Sequence, residues 1–316
     1  MKDKDKVIIW SPANEGSSIT QDSIEIGKGI LELLGYDIYF DSDAFSHFDL
    51  GVTSKKSRVK VLKQLGGEPG KIVLMSTYGG YSANLVLDEL SILQSKEDVI
   101  LTGKSDLTCI LNGLYAKYQI KSIYGIDFSK ICNPYLKESD KKNILQALEL
   151  KNIIFGKKEE FNDGFWYLHS PSNFHSYNWN VFGEPIEEII GTSVGGNMES
   201  LLTLAGTEYM PDFTDKLVIL ETVPDISAGQ FIMQLKAMTM ATNIHEARAI
   251  VLGCFEPGSC LNEKKIMDYI LTEIGVELPT VISNVDFSHT EPSYPFYIGG
   301  RIKLDIQKNE IRISWK

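Results

Sequence analysis

Short apolar runs alternate along this sequence with longer stretches of helical periodicity, and this alternation limits the possible fold more than any other feature. In the first half, apolar runs at residues 7–12, 71–76 and 99–103 predict strands. Runs of this kind are typical of parallel strands that crossover helices cover on both faces. The stretches between the runs are long enough to hold those helices. The pattern therefore predicts a doubly wound α/β arrangement for the N-terminal half.

Two of the connecting stretches carry specific helix signals. Residues 22–34 have apolar side chains at helical spacing, and Gly35 follows where a left-handed backbone often ends a helix. A later helix is predicted directly after residues 99–103, with Ser105 as its capping residue. Both helices would pack on the predicted sheet.

The C-terminal half mixes helices with strands. Apolar runs at residues 216–221, 249–255 and 281–287 predict strands, and helical patterns lie between them. The end of the chain predicts two alternating strands joined by a turn near Lys308 and Asn309.

The character of the sequence changes between residues 155 and 196, where aromatic, Asn, Ser and Pro residues follow no sustained period. We predict a long irregular loop or a hairpin here. Loops of this length are uncommon in compact domains unless they carry function, although an ordinary covering loop stays possible. The ligand-binding candidates in it are Trp166, Tyr177 and Trp179. Its two histidines, His169 and His175, are expected to form loop hydrogen bonds rather than to act in catalysis.

Charge and cysteine usage exclude several classes of function. The chain has 42 acidic and 31 basic residues and a formal net charge of −11, which repels nucleic-acid polymers and anionic membranes. No apolar run reaches the roughly 18 residues of a membrane span, and the charged start resembles neither a signal peptide nor an anchor. The cysteines lack the spacing of zinc or redox motifs, so we expect reduced core thiols in a cytoplasmic protein. They are Cys109, Cys132, Cys254 and Cys260.

Three polar features are candidates for catalysis. In STYGGYSANLVLDEL an apolar strand meets two glycines and then a helix, which is the geometry of a nucleophile elbow, and Ser82 lies inside it. Glu221 ends an apolar run and His289 follows another. Each feature is weak alone, since a glycine turn and a structural histidine are common. Together they form a set of nucleophile, base and orienting carboxylate.

Four segments, in order along the chain, match those of one enzyme family. MSTYGG resembles its elbow, and LTGKSDLTCILNGLYAK resembles its Gly-x-Ser-Asp-x-Thr segment. GGNMESLLTLAGTEYMPDFTDKLVILE resembles the segment that ends on a triad Glu, and DFSHTEPSYPFYIGG resembles the segment with a triad His. The chain thus resembles the serine peptidases that include LD-carboxypeptidases and microcin C self-immunity peptidases. The resemblance assigns Glu221 as the triad carboxylate and His289 as the general base.

The nucleophile is where the sequence departs from the family. The family serine stands four residues after the first glycine of the pair, and that position holds Ala83 here. Three interpretations stay open: an engineered Ser-to-Ala change, a natural member without a nucleophile, or a one-residue deletion that makes Ser82 the nucleophile. The oxyanion donors would be backbone N–H groups around Gly80 and of the residue after the nucleophile, which is Asn84 if the nucleophile position is 83.

The resemblance also implies an architecture. It predicts a Rossmann-like N-terminal domain (residues 1–155), an aromatic substrate loop (156–190) and a C-terminal domain with a small β-barrel (191–316). A homodimer is expected, with the site at the domain junction. No metal or organic cofactor is needed for the mechanism.

The elbow favours one branch of the family. LD-carboxypeptidases tend to have an arginine shortly after the serine, whereas Asn84 and Leu85 stand here, which resembles the self-immunity branch. Aromatic side chains can hold a nucleobase by stacking. The predicted substrate is therefore an aminoacyl- or peptidyl-nucleotide. The alternatives are a murein tetrapeptide that loses D-alanine and a non-catalytic protein that sequesters such a conjugate.

Overall fold

The computed structural model of the protein describes residues 5–65, 70–134, 136, 138–156, 177–275, 277–289 and 293–316. Strands of its first sheet are β1 (Lys6–Trp10), β2 (Asp37–Phe40), β3 (Ile72–Ser76), β4 (Val99–Gly103), β5 (Ser122–Tyr124) and β12 (Phe296–Ile298). Strands of its second sheet are β6 (Ile153–Gly156), β7 (Asn180–Phe182), β8 (Glu188–Asn197), β9 (Lys216–Glu221), β10 (Ala249–Gly253), β11 (Val281–Val285), β13 (Arg301–Asp305) and β14 (Glu310–Ser314).

Helices connect most of the parallel strands. The α-helices are α1 (Gln21–Leu33), α2 (Lys55–Gln64), α3 (Thr108–Tyr118), α4 (Phe128–Ile131), α5 (Glu138–Leu148), α6 (Met198–Leu202), α7 (Ala228–Ala241) and α8 (Lys264–Ile274). Four segments form 3₁₀ helices: Ala83–Ser95, Ser105–Leu107, Ile244–Glu246 and Cys260–Asn262. Among the described residues, no helix is both long and apolar enough to cross a bilayer.

The first sheet confirms the doubly wound α/β prediction. Its order is β12-β5-β4-β3-β1-β2, and β1 to β5 pair in parallel while β12 runs antiparallel to β5. The order β2-β1-β3-β4-β5 reverses between β1 and β3. In doubly wound sheets the crevice at such a switch point, beside the carboxyl ends of the strands, is where ligands bind. The loops that follow β1 and β3 therefore mark the expected site.

The second sheet is mixed and open. Its order is β6-β14-β13-β8-β9-β10-β11-β7, with a parallel centre from β8 to β11 and antiparallel strands on both sides. The small β-barrel expected for this half is not confirmed, because the described strands do not close the sheet between β6 and β7.

Two strands join the halves of the chain. β6 comes from the first half but pairs with β14, and β12 comes from the second half but pairs with β5. Tyr124 and Phe296 pack their rings 5.0 Å apart across this second pairing. The predicted domain boundaries at 155 and 190 stay predictions, and the exchange of strands ties the two sheets together.

Local sequence signals explain most element ends. Thr20 and Ser54 accept hydrogen bonds from Ser23 and Ser57 backbone N–H groups and so cap α1 and α2. Gly35 has the predicted left-handed backbone, with φ +91°. The terminal hairpin of β13 and β14 is also confirmed, with its turn between Asp305 and Glu310.

Three expectations are wrong. The irregular loop or hairpin predicted for residues 155–196 is wrong for residues 177–196, which contain β7 and β8, each paired with other strands of the second sheet, while residues 157–176 lie outside the described part of the chain. Ser105 does not cap a helix, because it starts a 3₁₀ turn with φ +57° and its side chain makes no capping bond. Cys260 is exposed, whereas the other three cysteines are buried as predicted and all four are free thiols.

Gly195 in β8 gives a test of this packing. Its φ is +118°, and a Cβ there would lie 1.9 Å from the backbone oxygen of Ile219 in β9. We expect Gly195→Ala to lower the free energy of unfolding by about 2–4 kcal/mol, measured by urea denaturation. The matched control is Gly29→Ala in α1, where a Cβ meets nothing within 4 Å. For Gly29→Ala the free energy of unfolding should rise by about 0.5–1 kcal/mol. An equal change in the two variants would contradict this explanation.

Candidate active site

The loop after β3 forms a tight elbow at the switch point, and its two glycines are required by close contacts. A Cβ at Gly79 would lie 2.7 Å from the Cβ of Ser105. Gly80 has φ +116°, and a Cβ there would lie 2.1 Å from Cγ of Asn14 in the loop after β1. The loops after β1, β3 and β4 therefore pack against one another so closely that neither Gly79 nor Gly80 has room for a side chain.

Ser82 ends the elbow in a left-handed conformation, with φ 71° and ψ 16°. It directly precedes the 3₁₀ helix that starts at Ala83, yet its hydroxyl caps no helix N–H group. The Oγ atom instead accepts a hydrogen bond of 2.9 Å from the Arg58 guanidinium. Ser82 is half-buried as a residue. A non-glycine residue in this region is unusual and is most often found at functional sites.

Ala83, by contrast, is fully buried. Its N–H group donates a 2.7 Å hydrogen bond to Oδ2 of Asp106, in the segment that follows β4. Burial raises the pKa of the Asp106 carboxyl, although this hydrogen bond and the nearby Arg58 charge oppose the rise. The elbow is thus anchored to the β4 loop on the side that faces the core.

The backbone N–H groups of the elbow divide into two sets. Those of Tyr81 and Ala83 are engaged, with the Asn14 and Asp106 side chains respectively. Within the described part of the chain, the N–H groups of Gly80 and Asn84 have no hydrogen-bond acceptor. The sequence predicted oxyanion donors around Gly80 and, for a nucleophile at position 83, at Asn84. Asn84 is exposed at the N-terminus of the 3₁₀ helix, where backbone N–H groups favour negative charge.

Glu221, at the end of β9, and His289, in the loop after β11, form a close pair. Nδ1 of His289 lies 2.8 Å from Oε2 of Glu221. The Glu221 side chain is 2% exposed and the His289 side chain 23% exposed, so the imidazole lies between the carboxylate and solvent. A proton on Nδ1 that is donated to the carboxylate leaves Nε2 as an acceptor. That is the tautomer a general base requires.

Further groups hold this pair in place. Tyr124 donates a 2.5 Å hydrogen bond to Oε1 of Glu221, and the Ser105 N–H donates to the same tyrosine oxygen at 3.1 Å. Lys104 Nζ donates to the backbone oxygen of His289 at 2.8 Å. Burial raises the pKa of the Glu221 carboxyl, but His289, Lys104 and Tyr124 outweigh it, and the resulting pKa is below the ordinary value. The carboxylate is therefore charged at neutral pH.

The segment Lys104–Asp106 links the pair to the elbow. Its members contact Gly79, the Ala83 N–H group, Tyr124 and the His289 backbone. Elbow, carboxylate and imidazole consequently belong to one continuous network, although they come from distant parts of the sequence.

Two of the three predicted aromatic binding residues, Tyr177 and Trp179, have structural contacts. Trp166 lies outside the described residues, as do His169 and His175. The Tyr177 hydroxyl accepts a 2.9 Å hydrogen bond from the Gly258 N–H. Trp179 is buried, and its Nε1 donates to Asp286 at 3.2 Å. A substrate contact by these residues stays a prediction.

Sequence reasoning missed the groups that support the site. Arg58 and Asn14 lie in stretches with no motif of their own, and Tyr124 ends a strand of only three residues. Lys104 and Asp106 fall in the quoted GKSDLT segment, so the motif did locate them but gave them no role.

Comparisons with known proteins identify the family. A sequence profile of the LD-carboxypeptidase N-terminal domain matches residues 7–125, and one of the LD-carboxypeptidase C-terminal domain matches residues 190–304. The chain belongs to the LD-carboxypeptidase family. Its members are serine peptidases, so membership supports a hydrolase.

Individual members of the LD-carboxypeptidase family agree along nearly the whole chain. A Treponema pallidum protein named as a carboxypeptidase is 25% identical, covering 99% of this chain and 94% of its own. The microcin C7 self-immunity protein MccF of Escherichia coli is 26% identical, covering 82% and 78%. An MccF-like protein from Bacillus anthracis has a crystal structure with a TM-score of 0.88, 26% identity and coverage of 100% and 98%. MccF structures with glutamyl sulfamoyl guanosine and aspartyl sulfamoyl adenosine have TM-scores of 0.84 at 21% identity.

The low pKa of Glu221 predicts a pH dependence of stability. Because the folded-state pKa lies below the ordinary 4.5, the pair stabilises the folded chain above that pH. This contribution is lost as the pH falls through the folded-state pKa. We expect Glu221→Gln to show a smaller loss of thermal stability than the unaltered chain between about pH 6 and pH 3, measured by circular dichroism. Glu273→Gln, at an exposed carboxyl, should follow the unaltered chain, and parallel curves for all three would contradict the account.

Proposed function

We propose that this chain is a serine hydrolase in which Ser82 is the nucleophile, His289 the general base and Glu221 the group that orients it. The observation that carries the proposal is the 2.8 Å pair of Glu221 and His289, joined through Lys104–Asp106 to an elbow in which two N–H groups have no acceptor among the described residues. Base, orienting carboxylate and oxyanion donors are the parts that acyl transfer requires.

Two local observations support Ser82 over position 83. Ser82 is a half-buried residue at the N-terminus of the 3₁₀ helix, and its backbone is left-handed, as suits the strained turn of a nucleophile elbow. Ala83 has no nucleophilic atom, and its methyl group is fully buried. The one-residue deletion is therefore the interpretation that we adopt.

The proposed reaction has two halves. Nε2 of His289 takes the hydroxyl proton of Ser82 while Oγ forms a bond to the carbonyl carbon, and the carbonyl electron pair moves onto its oxygen. The N–H groups of Gly80 and Asn84 stabilise that oxyanion, because the N–H of Ala83, the residue directly after Ser82, is bound to Asp106. The oxyanion then collapses, the bond to the leaving nitrogen breaks, and the imidazolium returns its proton to that nitrogen. Water hydrolyses the resulting acyl ester with His289 again as base.

For the substrate we propose an aminoacyl- or peptidyl-nucleotide with an amide-type bond. Structures of MccF, a member of the same family, hold glutamyl sulfamoyl guanosine and aspartyl sulfamoyl adenosine. The absence of an arginine at Asn84 and Leu85 supports the same branch. The murein tetrapeptide and the non-catalytic sequestering protein are the competing candidates, and the homodimer stays a prediction.

Hydrolysis of an aminoacyl sulfamoyl adenosine, followed by chromatography, tests this proposal. The unaltered chain should release the amino acid, and Ser82→Ala should lower kcat by about 10⁴-fold or more because the attacking oxygen is gone. Glu221→Gln should lower kcat by about 10²–10⁴-fold with little change in binding, since the imidazole loses its orienting charge. A murein tetrapeptide is assayed in parallel.

Ala83→Ser is the matched variant. If it alone cleaves the nucleotide, the nucleophile position is 83 and the assignment of Ser82 is wrong. Release of D-alanine from the tetrapeptide alone would replace the substrate proposal. Binding by calorimetry without cleavage by either chain would favour the sequestering protein.

A further inference from the structure

Arg58 is a charged residue in the interior of the protein. It lies in α2, and only 1% of its surface is exposed. A buried charge is costly unless hydrogen bonds and an opposite charge compensate for it. The contacts of the guanidinium therefore indicate what keeps it there.

Every acceptor of Arg58 in the described residues belongs to the switch-point loops. NH1 donates to the backbone oxygen of Ser82, and NH2 donates to Oγ of Ser82 and to the backbone oxygen of Ala13, both at 2.9 Å. Nε has no partner within the described part of the chain. Two of the three acceptors of the guanidinium are therefore atoms of Ser82 in the elbow, and the third is a backbone oxygen in the loop after β1.

The guanidinium keeps its charge in this setting. Burial lowers the pKa of Arg58 to about 10, while the nearby Asp106 and Cys109 act in the opposite direction. A pKa of about 10 leaves the group protonated at neutral pH. Asp106, which also accepts from the Ala83 N–H, supplies the opposite charge beside it.

We propose that Arg58 is a further catalytic residue, which holds Oγ of Ser82 in the attacking orientation and stabilises the negative charge that develops on it. The inference rests on the assignment of Ser82 as nucleophile. A guanidinium only donates, so Oγ accepts from Arg58 and keeps its own hydrogen for Nε2 of His289. As the O–H bond breaks, and until its electron pair has completed the new bond to the carbonyl carbon, Oγ carries added negative charge, which a charged donor binds more strongly than it binds a neutral hydroxyl.

The bond to the Ser82 carbonyl has a second effect. It holds Ser82 in its left-handed backbone conformation, which is uncommon and strained for residues other than glycine. A purely structural role would need this bond alone. The bond to Oγ is what distinguishes a role in catalysis, and the two roles predict different effects on a nucleophile at position 82.

A thiol at this position reports the effect of Arg58 without any substrate. In a Cys260→Ser background, which removes the exposed native thiol, we would introduce Ser82→Cys and measure its alkylation by iodoacetamide against pH. A positive charge beside a thiol lowers its pKa below the free value of about 8.5. We expect Arg58→Gln to raise the pH midpoint of alkylation by about one unit or more. Arg58→Lys, which keeps a charge but not the fork, should raise it less.

Arg301→Gln is the matched control, because Arg301 is an exposed arginine on β13 far along the chain from the elbow. It should leave the midpoint unchanged. Circular dichroism establishes which Arg58 variants are folded. A midpoint that does not change in a folded Arg58→Lys or Arg58→Gln chain overturns the inference.

Kinetics provide a separate measurement. With Ser82 in place, Arg58→Lys should lower kcat by about 10²-fold with KM nearly unchanged, since the interaction strengthens only as charge develops. A rise in KM with unchanged kcat would overturn the catalytic role. If the unaltered chain hydrolyses nothing, the proposed function fails, while the thiol midpoint still measures the contact between Arg58 and position 82.

Discussion

The carboxylate of Glu221 is buried at the end of β9, and a buried negative charge must be met by donors or a positive charge. Its partners come from both sheets: Tyr124 from β5 of the first, and His289 from the loop after β11 of the second. Lys104, after β4, holds the backbone of the histidine. Compensating the Glu221 charge therefore requires the two sheets to pack against each other. In that arrangement the ends of β4, β5, β9 and β11 lie close together. The pairing of β12 with β5 supplies that docking.

A second electrostatic arrangement lies at the switch point of the first sheet. The charges of Arg58 and Asp106 are both buried and flank the elbow, one bound to Ser82 and the other to the Ala83 N–H. Together they fix the backbone on each side of the left-handed residue. In the described part of the chain, the N–H groups of Gly80 and Asn84 have no acceptor. The two buried side chains thus hold the turn from the inside without using these N–H groups.

The sequence predicts much of this arrangement and misses a definable part. The sequence reveals apolar strand runs such as 99–103 and the polar residues Glu221 and His289 at or after the ends of such runs. Burial and the periodicity of a strand leave a pattern that can be recognised locally. Arg58 was not recognisable in this way, since its partner Ser82 is 24 residues away and a basic residue in an amphipathic helix suggests only a solvated face. Tyr124 was missed because β5 has three residues, and β12 because its partner strand lies in the other half of the chain. The left-handed conformation of Ser82 likewise depends on contacts that no local pattern encodes.

The central claim is that Ser82 is the activated hydroxyl of a site completed by His289 and Glu221. Covalent labelling tests it most directly. The chain is treated with a fluorophosphonate, which reacts with activated serines, and the modified residue is identified by peptide mass spectrometry. The account predicts a single adduct on Ser82 that disappears in His289→Ala and persists in Ala83→Ser. An adduct on another residue, labelling that does not depend on His289, or hydrolysis of the nucleotide conjugate without any labelling of Ser82 would contradict it.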